Sequence, residues 1–205
     1  MHASIQEIIE SRVSANNYDS SRKLSEATIS ELVRLATLAP SAYNFQNWKF
    51  LAVVSDEAKL RLQAAAFNQQ KISDAAVSFI ICGTLNAHAQ LEPALRPSVD
   101  AGIIDSKTLA TWVGMAEQSH IGNALLQRDE ALRSASLAAM TLMLAAQGMG
   151  LASCPLSGFD ADAVSREFDL HTSEIPVMLV TVGYAAAGNW PQKLRKPVQE
   201  VMQVV

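Results

Sequence analysis

The stretch Ala39-Pro-Ser-Ala-Tyr-Asn-Phe-Gln-Asn-Trp48 separates the first well-marked helix of the chain from its first strand. Upstream, Ser25 is a helix-capping residue type and Glu26 places a carboxylate in the first turn. Ile29, Leu32, Val33, Leu35, Ala36 and Ala39 then recur at helical spacing until Pro40, which has no N–H to donate, stops the pattern. Residues 41–47 are polar and aromatic with turn formers and read as a loop. Trp48 to Val54 is rich in aromatic and branched residues and reads as a strand. Two amide side chains, Asn44 and Gln46, between a proline-stopped helix and a strand are more than an ordinary connection needs.

Working outward, Ile5, Ile8 and Ile9 predict a short helix before a polar segment from Arg12 to Lys23. Downstream come a helix over Asp56–Ala66, the polar run Phe67-Asn-Gln-Gln-Lys71 and a strand over Val77–Thr84. Pro93, Pro97 and Gly102 break the pattern after Leu85, before a moderately amphipathic stretch over Ser106–Met115. Asp129–Gln147 predicts a buried helix, apolar nearly all round, with Gly148 and Gly150 as candidates for its left-handed cap. A short strand over Leu151–Cys154, the loop Pro155-Leu-Ser-Gly-Phe-Asp160, a helix over Ala161–Phe168 and a strand over Pro176–Tyr184 follow. The irregular alternation predicts an α+β fold, with residues 1–205 as one domain.

The composition narrows the function classes. Hydrophobic residues make up 49% and charged residues 18%, as in a packed globular protein, and the net charge is −4 with no basic cluster for nucleic acid. Ala138–Met149, the most apolar stretch, is interrupted by Thr141 and Gln147 and is too short to span a membrane; the N-terminal residues lack the pattern of an export signal. Cys82 and Cys154 each lie in an apolar segment and read as reduced cytoplasmic thiols. His2, His88, His120 and His171 show no metal-ligand spacing, so no metal is expected. The glycines at 148–150 close a helix instead of opening one, and neither a GxSxG elbow nor a Walker loop occurs. A chain without its own nucleophile, metal site or nucleotide cradle points to a bound cofactor as the carrier of the chemistry.

Four separated segments together resemble the FMN-dependent nitroreductase family. They are Arg12-Val13-Ser14 with Asn16; Ala39 to Trp48, similar to the family's APS-x-x-N-x-Q-PW; Asn68-Gln-Gln-Lys71; and Pro155-Leu156-Ser157-Gly158, with Lys193 and Arg195 near the end. The resemblance implies a central, mostly antiparallel sheet flanked by helices. It also implies a homodimer with FMN at the interface, touched by both chains, and makes the 129–147 helix the expected interface element. The implied cofactor-binding residues are Arg12, Val13, Ser14, Asn16, Ser41, Ala42, Tyr43, Asn44, Gln46, Asn68, Lys71, Pro155, Leu156, Ser157, Gly158, Lys193 and Arg195.

The residue types suit those roles. Arg12, Lys193 and Arg195 can neutralise a phosphate dianion, Arg by a bidentate contact. Ser14 and Ser41 can donate to phosphate or ribityl oxygens, and the amides of Asn44, Gln46 and Asn68 can both donate and accept at a ring edge. Lys71 is the candidate cation beside the pyrimidine edge, where reduction places negative charge. Gly158 matches the family position whose N–H approaches flavin N5. No catalytic side chain is expected: NADH or NADPH gives hydride to N5, and a small acceptor such as a nitroaromatic or quinone takes it in ping-pong order. Flavin, enal or pteridine reduction, a specialised relative, or FMN binding without turnover are the alternatives. Val13, Asn16, Asn47 and Ser157 depart from the usual family residues, and residues 85–128 match poorly, so the acceptor is not readable.

Overall fold

In the computed structural model, which describes residues 4–205, strand β2 is buried along almost its whole length, and the other elements can be placed around it. His2 lies outside the described residues. In chain order the elements are α1 (Ile5–Ser11), α2 (Glu26–Ala36), β1 (Trp48–Val53), α3 (Asp56–Ala65), α4 (Lys71–Asp74) and β2 (Val77–Thr84). There follow α5 (Leu91–Asp100), α6 (Ser106–His120), α7 (Ala124–Gly148), β3 (Ala152–Leu156), α8 (Ala161–Glu167), β4 (Glu174–Gly183) and α9 (Val198–Val201). Among the described residues the strands form one antiparallel sheet in the order β1-β2-β4-β3.

Successive side chains of a strand point to opposite faces. Val77, Phe79 and Ile81 of β2 therefore join Val180 and Val182 of β4 against Leu32 and Ala36 of α2 and Ala135, Ala139 and Leu142 of α7. Ile80 and Cys82 face the other way, with Leu179, Cys154 and Leu156, against Leu62 of α3, Ile72 of α4 and Val164 of α8. Both faces are covered, which explains why β2 is apolar without alternation. A third cluster, Phe45, Leu91, Leu95, Leu109 and Ala116, is built by the 42–45 turn with α5 and α6.

Helix α7 is longer than the periodicity predicts because Asn123 caps it: its side chain accepts from the Leu126 N–H at 3.1 Å. At the other end Gly150 adopts φ +73°, and the N–H groups of Gly150 and Leu151 reach back to Gln147 O and Ala146 O at 3.0 and 2.8 Å. That is the Schellman closure, so of the two glycines only Gly150 supplies the left-handed cap.

Other boundaries differ for physical reasons. The break expected after Leu85 is largely helical. Pro93 falls in the first turn of α5, where its missing N–H costs nothing, and Leu91 and Leu95 are buried one turn apart. Helix α6 runs on to His120, five residues beyond the amphipathic stretch. Pro155 and Leu156, expected in a loop, are the last residues of β3 and pair with Val180 and Leu179. In α1, Ile5 and Ile9 are exposed and only Ile8 is half-buried, so its apolar stripe is not a core face. Among the described residues no helix is long and apolar enough to cross a membrane.

Helix α7 crosses the sheet at Gly83. A Cβ there would stand 2.4 Å from Ala131 O and 2.8 Å from Ala131 Cβ. Gly83→Ala is expected to destabilise the protein by about 1–3 kcal/mol or more, since the obstruction is helix backbone and cannot rotate away. Gly114→Ala in α6, where the new Cβ meets nothing within 4 Å, is expected to stabilise by about 0.4–1 kcal/mol. Urea unfolding of the two variants checks the opposite signs.

Candidate functional site: a cationic cleft beside β3

Past the end of α1, Arg12 leaves the helix in an extended conformation. The segment after it runs beside β3: Ser14 forms an isolated parallel bridge with Ser153, and the Ala15 N–H donates to Ser153 O at 3.0 Å. Lys71 opens the short helix α4, and the tail after β4 returns over the same place. Together they enclose a cleft of about 220 Å³ lined by Arg12, Val13, Ser14 and Asn16, by Lys71 and Cys154, and by Trp190, Pro191, Gln192, Lys193 and Arg195. Three sequence-distant groups of predicted residues thus meet.

Lys71 is held in place. Its Nζ donates to Asn16 Oδ1 at 2.6 Å and lies 3.8 Å from Cys154 Sγ. Asp74, a possible helical partner for it, instead accepts from Gln70 Nε2 at 2.9 Å. Helix α4 is itself anchored by the buried Lys59, whose Nζ donates to Ala75 O at 2.5 Å; burial holds the pKa of Lys59 below the usual lysine value.

The cleft has an unbalanced charge. Four cations line it (Arg12, Lys71, Lys193 and Arg195) and no carboxylate does. Among the described residues Arg12 Nη1 is buried without a hydrogen-bond partner, an arrangement that costs free energy unless a ligand supplies the acceptor. Guanidinium and ammonium donors converging without an acid fit a phosphate group. The same field acts on Cys154. Burial pushes its thiol pKa up, while the neighbouring Lys71, and more distantly Arg12 and Lys193, pull it back down. Cys82, buried in β2, is pushed up to about 12 by burial.

The remaining predicted residues lie elsewhere in the chain. Residues 41–46 make a tight loop in which Tyr43, Asn44 and Gln46 all have positive φ, at 52°, 59° and 49°. Such backbone is uncommon outside glycine. The Gln46 N–H donates to Ser41 Oγ at 3.0 Å, and the ring of the buried Phe45 lies 5.1 Å from that of His120, edge to face. Asn44 and Gln46 are exposed. Ser41 and Ala42 line a separate recess of about 290 Å³ with Glu130, Arg133, Ser134 and Leu137 of α7. Asn68, also left-handed at φ 57°, is exposed and does not line the cleft. Ser157 and Gly158 are exposed just past β3. A Cβ on Gly158 would make only ordinary contact, at 3.5 Å from Gln69 Nε2, so packing within the chain does not require a glycine there.

The model of the family described as "Nitroreductase family" matches residues 9–184. The chain belongs to the nitroreductase family. YodC of Bacillus subtilis (strain 168), named as an NAD(P)H nitroreductase, is 34% identical over 179 residues, covering 87% of this chain and 88% of YodC. MhqN of the same organism, named likewise, is 30% identical with 98% of each chain covered. A nitroreductase crystal structure from Exiguobacterium sibiricum 255-15, in complex with FMN, superposes with TM-score 0.90 at 29% identity, covering 99% of this chain and 98% of that one. The ydfN structure from Bacillus subtilis gives 0.91 at 30%, with 98% of each covered.

Several residues that line the cleft carry no clear signal in the sequence. Trp190, Pro191 and Gln192 sit in a tail without periodicity, and Cys154 reads as a core thiol. Gln69, inside a quoted segment, donates to Gly158 O at 2.7 Å and ties two predicted loops together. The WPQKLRKP run holding two of the cations was the available signal for the tail.

Only Cys154 of the two thiols lines the cleft, so it is expected to react with a small alkylating reagent well before Cys82. Lys71→Met removes the cation that favours the thiolate. The pH midpoint of Cys154 alkylation should therefore move upward, as followed by mass spectrometry across a pH series.

Proposed function

We propose that this chain is an FMN-dependent oxidoreductase acting as a cytoplasmic homodimer, one domain per chain. Hydride passes from NADH or NADPH through the flavin to a small electron-poor acceptor such as a nitroaromatic or quinone, donor and acceptor using one face in turn. The observation that carries this reading is the acid-free cleft with the unpartnered Arg12 Nη1, in a chain of the nitroreductase family. A similar protein was solved with FMN.

When bound, FMN supplies the hydride chemistry at its N5 position. Arg12, Lys193 and Arg195 bind the phosphate, and Ser14 donates its hydroxyl to a phosphate or ribityl oxygen. Lys71, oriented by Asn16, puts a positive charge at the pyrimidine edge and so favours the reduced, more negative ring. Asn68 and the Pro155–Gly158 segment lie outside the cleft lining and would reach the ring on the family resemblance alone. None of these steps asks a side chain to accept a proton from carbon, and among the described residues neither a histidine nor a carboxylate lines the cleft.

The homodimer is supported by two further observations. Residues Ser41, Ala42, Tyr43, Asn44 and Gln46 match the family segment yet do not line the cleft of their own chain. We assign them to the flavin site of the second copy. Exposed apolar residues on α7 (Leu137 and Met140) and in the tail (Val198, Val201, Met202, Val204 and Val205) supply surface for such a contact.

The purified protein is expected to be yellow, or to become so with added FMN, and to bleach on addition of NADH or NADPH. A colourless protein that gains no flavin absorbance overturns the reading. Arg12→Ala is expected to weaken FMN binding by about 1.5–3 kcal/mol, the size of a hydrogen bond to a charged group, measured by quenching of flavin fluorescence. Lys71→Met is expected to lower the flavin midpoint potential in a potentiometric titration. An unchanged potential removes Lys71 from the ring edge.

A further inference from the structure

Asn189 connects the two walls of the cationic cleft. Its side-chain oxygen accepts from the N–H groups of Asn16 and Asn17 at 2.7 and 3.0 Å, and its side-chain nitrogen donates to Asn17 O and Ala186 O at 2.9 and 3.0 Å. A single amide uses both of its faces here, taking two donors and giving two protons.

The connection continues in both directions. On one side the backbone gripped at Asn16 carries the side chain that accepts from Lys71 Nζ at 2.6 Å. On the other side the chain passes directly into Trp190, Lys193 and Arg195. From Trp190 onward every residue is exposed. Among the described residues the side-chain hydrogen bonds of Arg195 stay within the tail, to Lys193 O and Gln192 Oε1, and Lys193 lies over the ring of Trp190 at 4.8 Å. Asn189 is thus the last residue whose hydrogen bonds fix this tail to the body before it reaches the cleft.

We infer that Asn189 is a positioning residue for the cofactor: it holds the tail cations over the cleft and, through Asn16, sets the place of Lys71. The inference rests on the FMN reading of that cleft. It has a part independent of flavin, since the hydrogen bonds of the Asn189 side chain are made within the chain itself.

The test compares wild type with Asn189→Ala and Asn189→Gln, the latter keeping a neutral amide but moving it outward by one methylene. In flavin-free protein, exchange at the Asn16 and Asn17 amides is expected to speed at least tenfold in Asn189→Ala, with β2 amides unchanged. The FMN dissociation constant is expected to rise at least tenfold and to depend less steeply on NaCl, because two cations no longer face the phosphate. The flavin midpoint potential is expected to fall as Lys71 loses its fixed partner. Asn189→Gln should lie between, and it decides the matter if the alanine variant does not fold. General loosening of the fold would weaken FMN binding without changing its salt dependence. Wild-type exchange, affinity and salt dependence in a folded variant overturn the inference and leave the FMN reading standing. A wild-type protein that binds no FMN overturns the cofactor role, while the exchange measurement still decides the clamp.

Discussion

The backbone-to-backbone contact between Gly83 of β2 and Ala131 of α7 sets the spacing of the whole molecule. The 25-residue helix comes closest to the sheet where β2 offers no side chain, at Gly83, and elsewhere it packs on the side chains of Phe79 and Ile81. The close approach brings Ala135, Ala139 and Leu142 onto Phe79 and Val180. Packing at interior density tolerates little error in that distance. With α7 seated, the opposite face of the sheet is left for α3, α4 and α8, and β3 is left at the edge.

The cleft exists because that edge is incomplete. The residues after α1 lie along β3 with a single bridge, so they leave side chains free to face outward. Lysine and arginine stems can lie on apolar surface while their heads gather around an opening, which lets four cations converge on one cleft. A bound anion would balance these cations, since no carboxylate among the described residues lines the cleft.

Much of the fold was legible in the sequence where one physical signal dominated. Val77–Thr84 is an uninterrupted apolar run, and its strand has the predicted bounds. Ser25 caps α2 as its position implies, its hydroxyl accepting from the Thr28 N–H at 3.1 Å. Helix α5 was obscured because prolines read as breaks although one occupies a harmless first-turn position. Arg12, Lys71, Lys193 and Arg195 were recognisable as a set by motif and charge. Asn189 was not, since its partner Asn16 stands 173 residues away and a lone asparagine in a tail carries no periodic signal. The separation of the 41–46 loop from the cleft was equally invisible, because a linear motif does not say which face of the molecule carries it.

The cluster of Phe45, Leu91, Leu95 and Leu109 has its own small apolar interior, distinct from the two that sandwich the sheet. Swinging α5 and α6 outward breaks that interior and leaves Phe79 and Leu142 covered. Such a sub-global opening costs only a fraction of the free energy of complete unfolding. Phe45 belongs both to this cluster and to the loop with three left-handed residues. Breathing of the two helices therefore also releases the backbone of residues 43–46, whose conformation depends on being held, so motion in one region is geometrically coupled to order in the other.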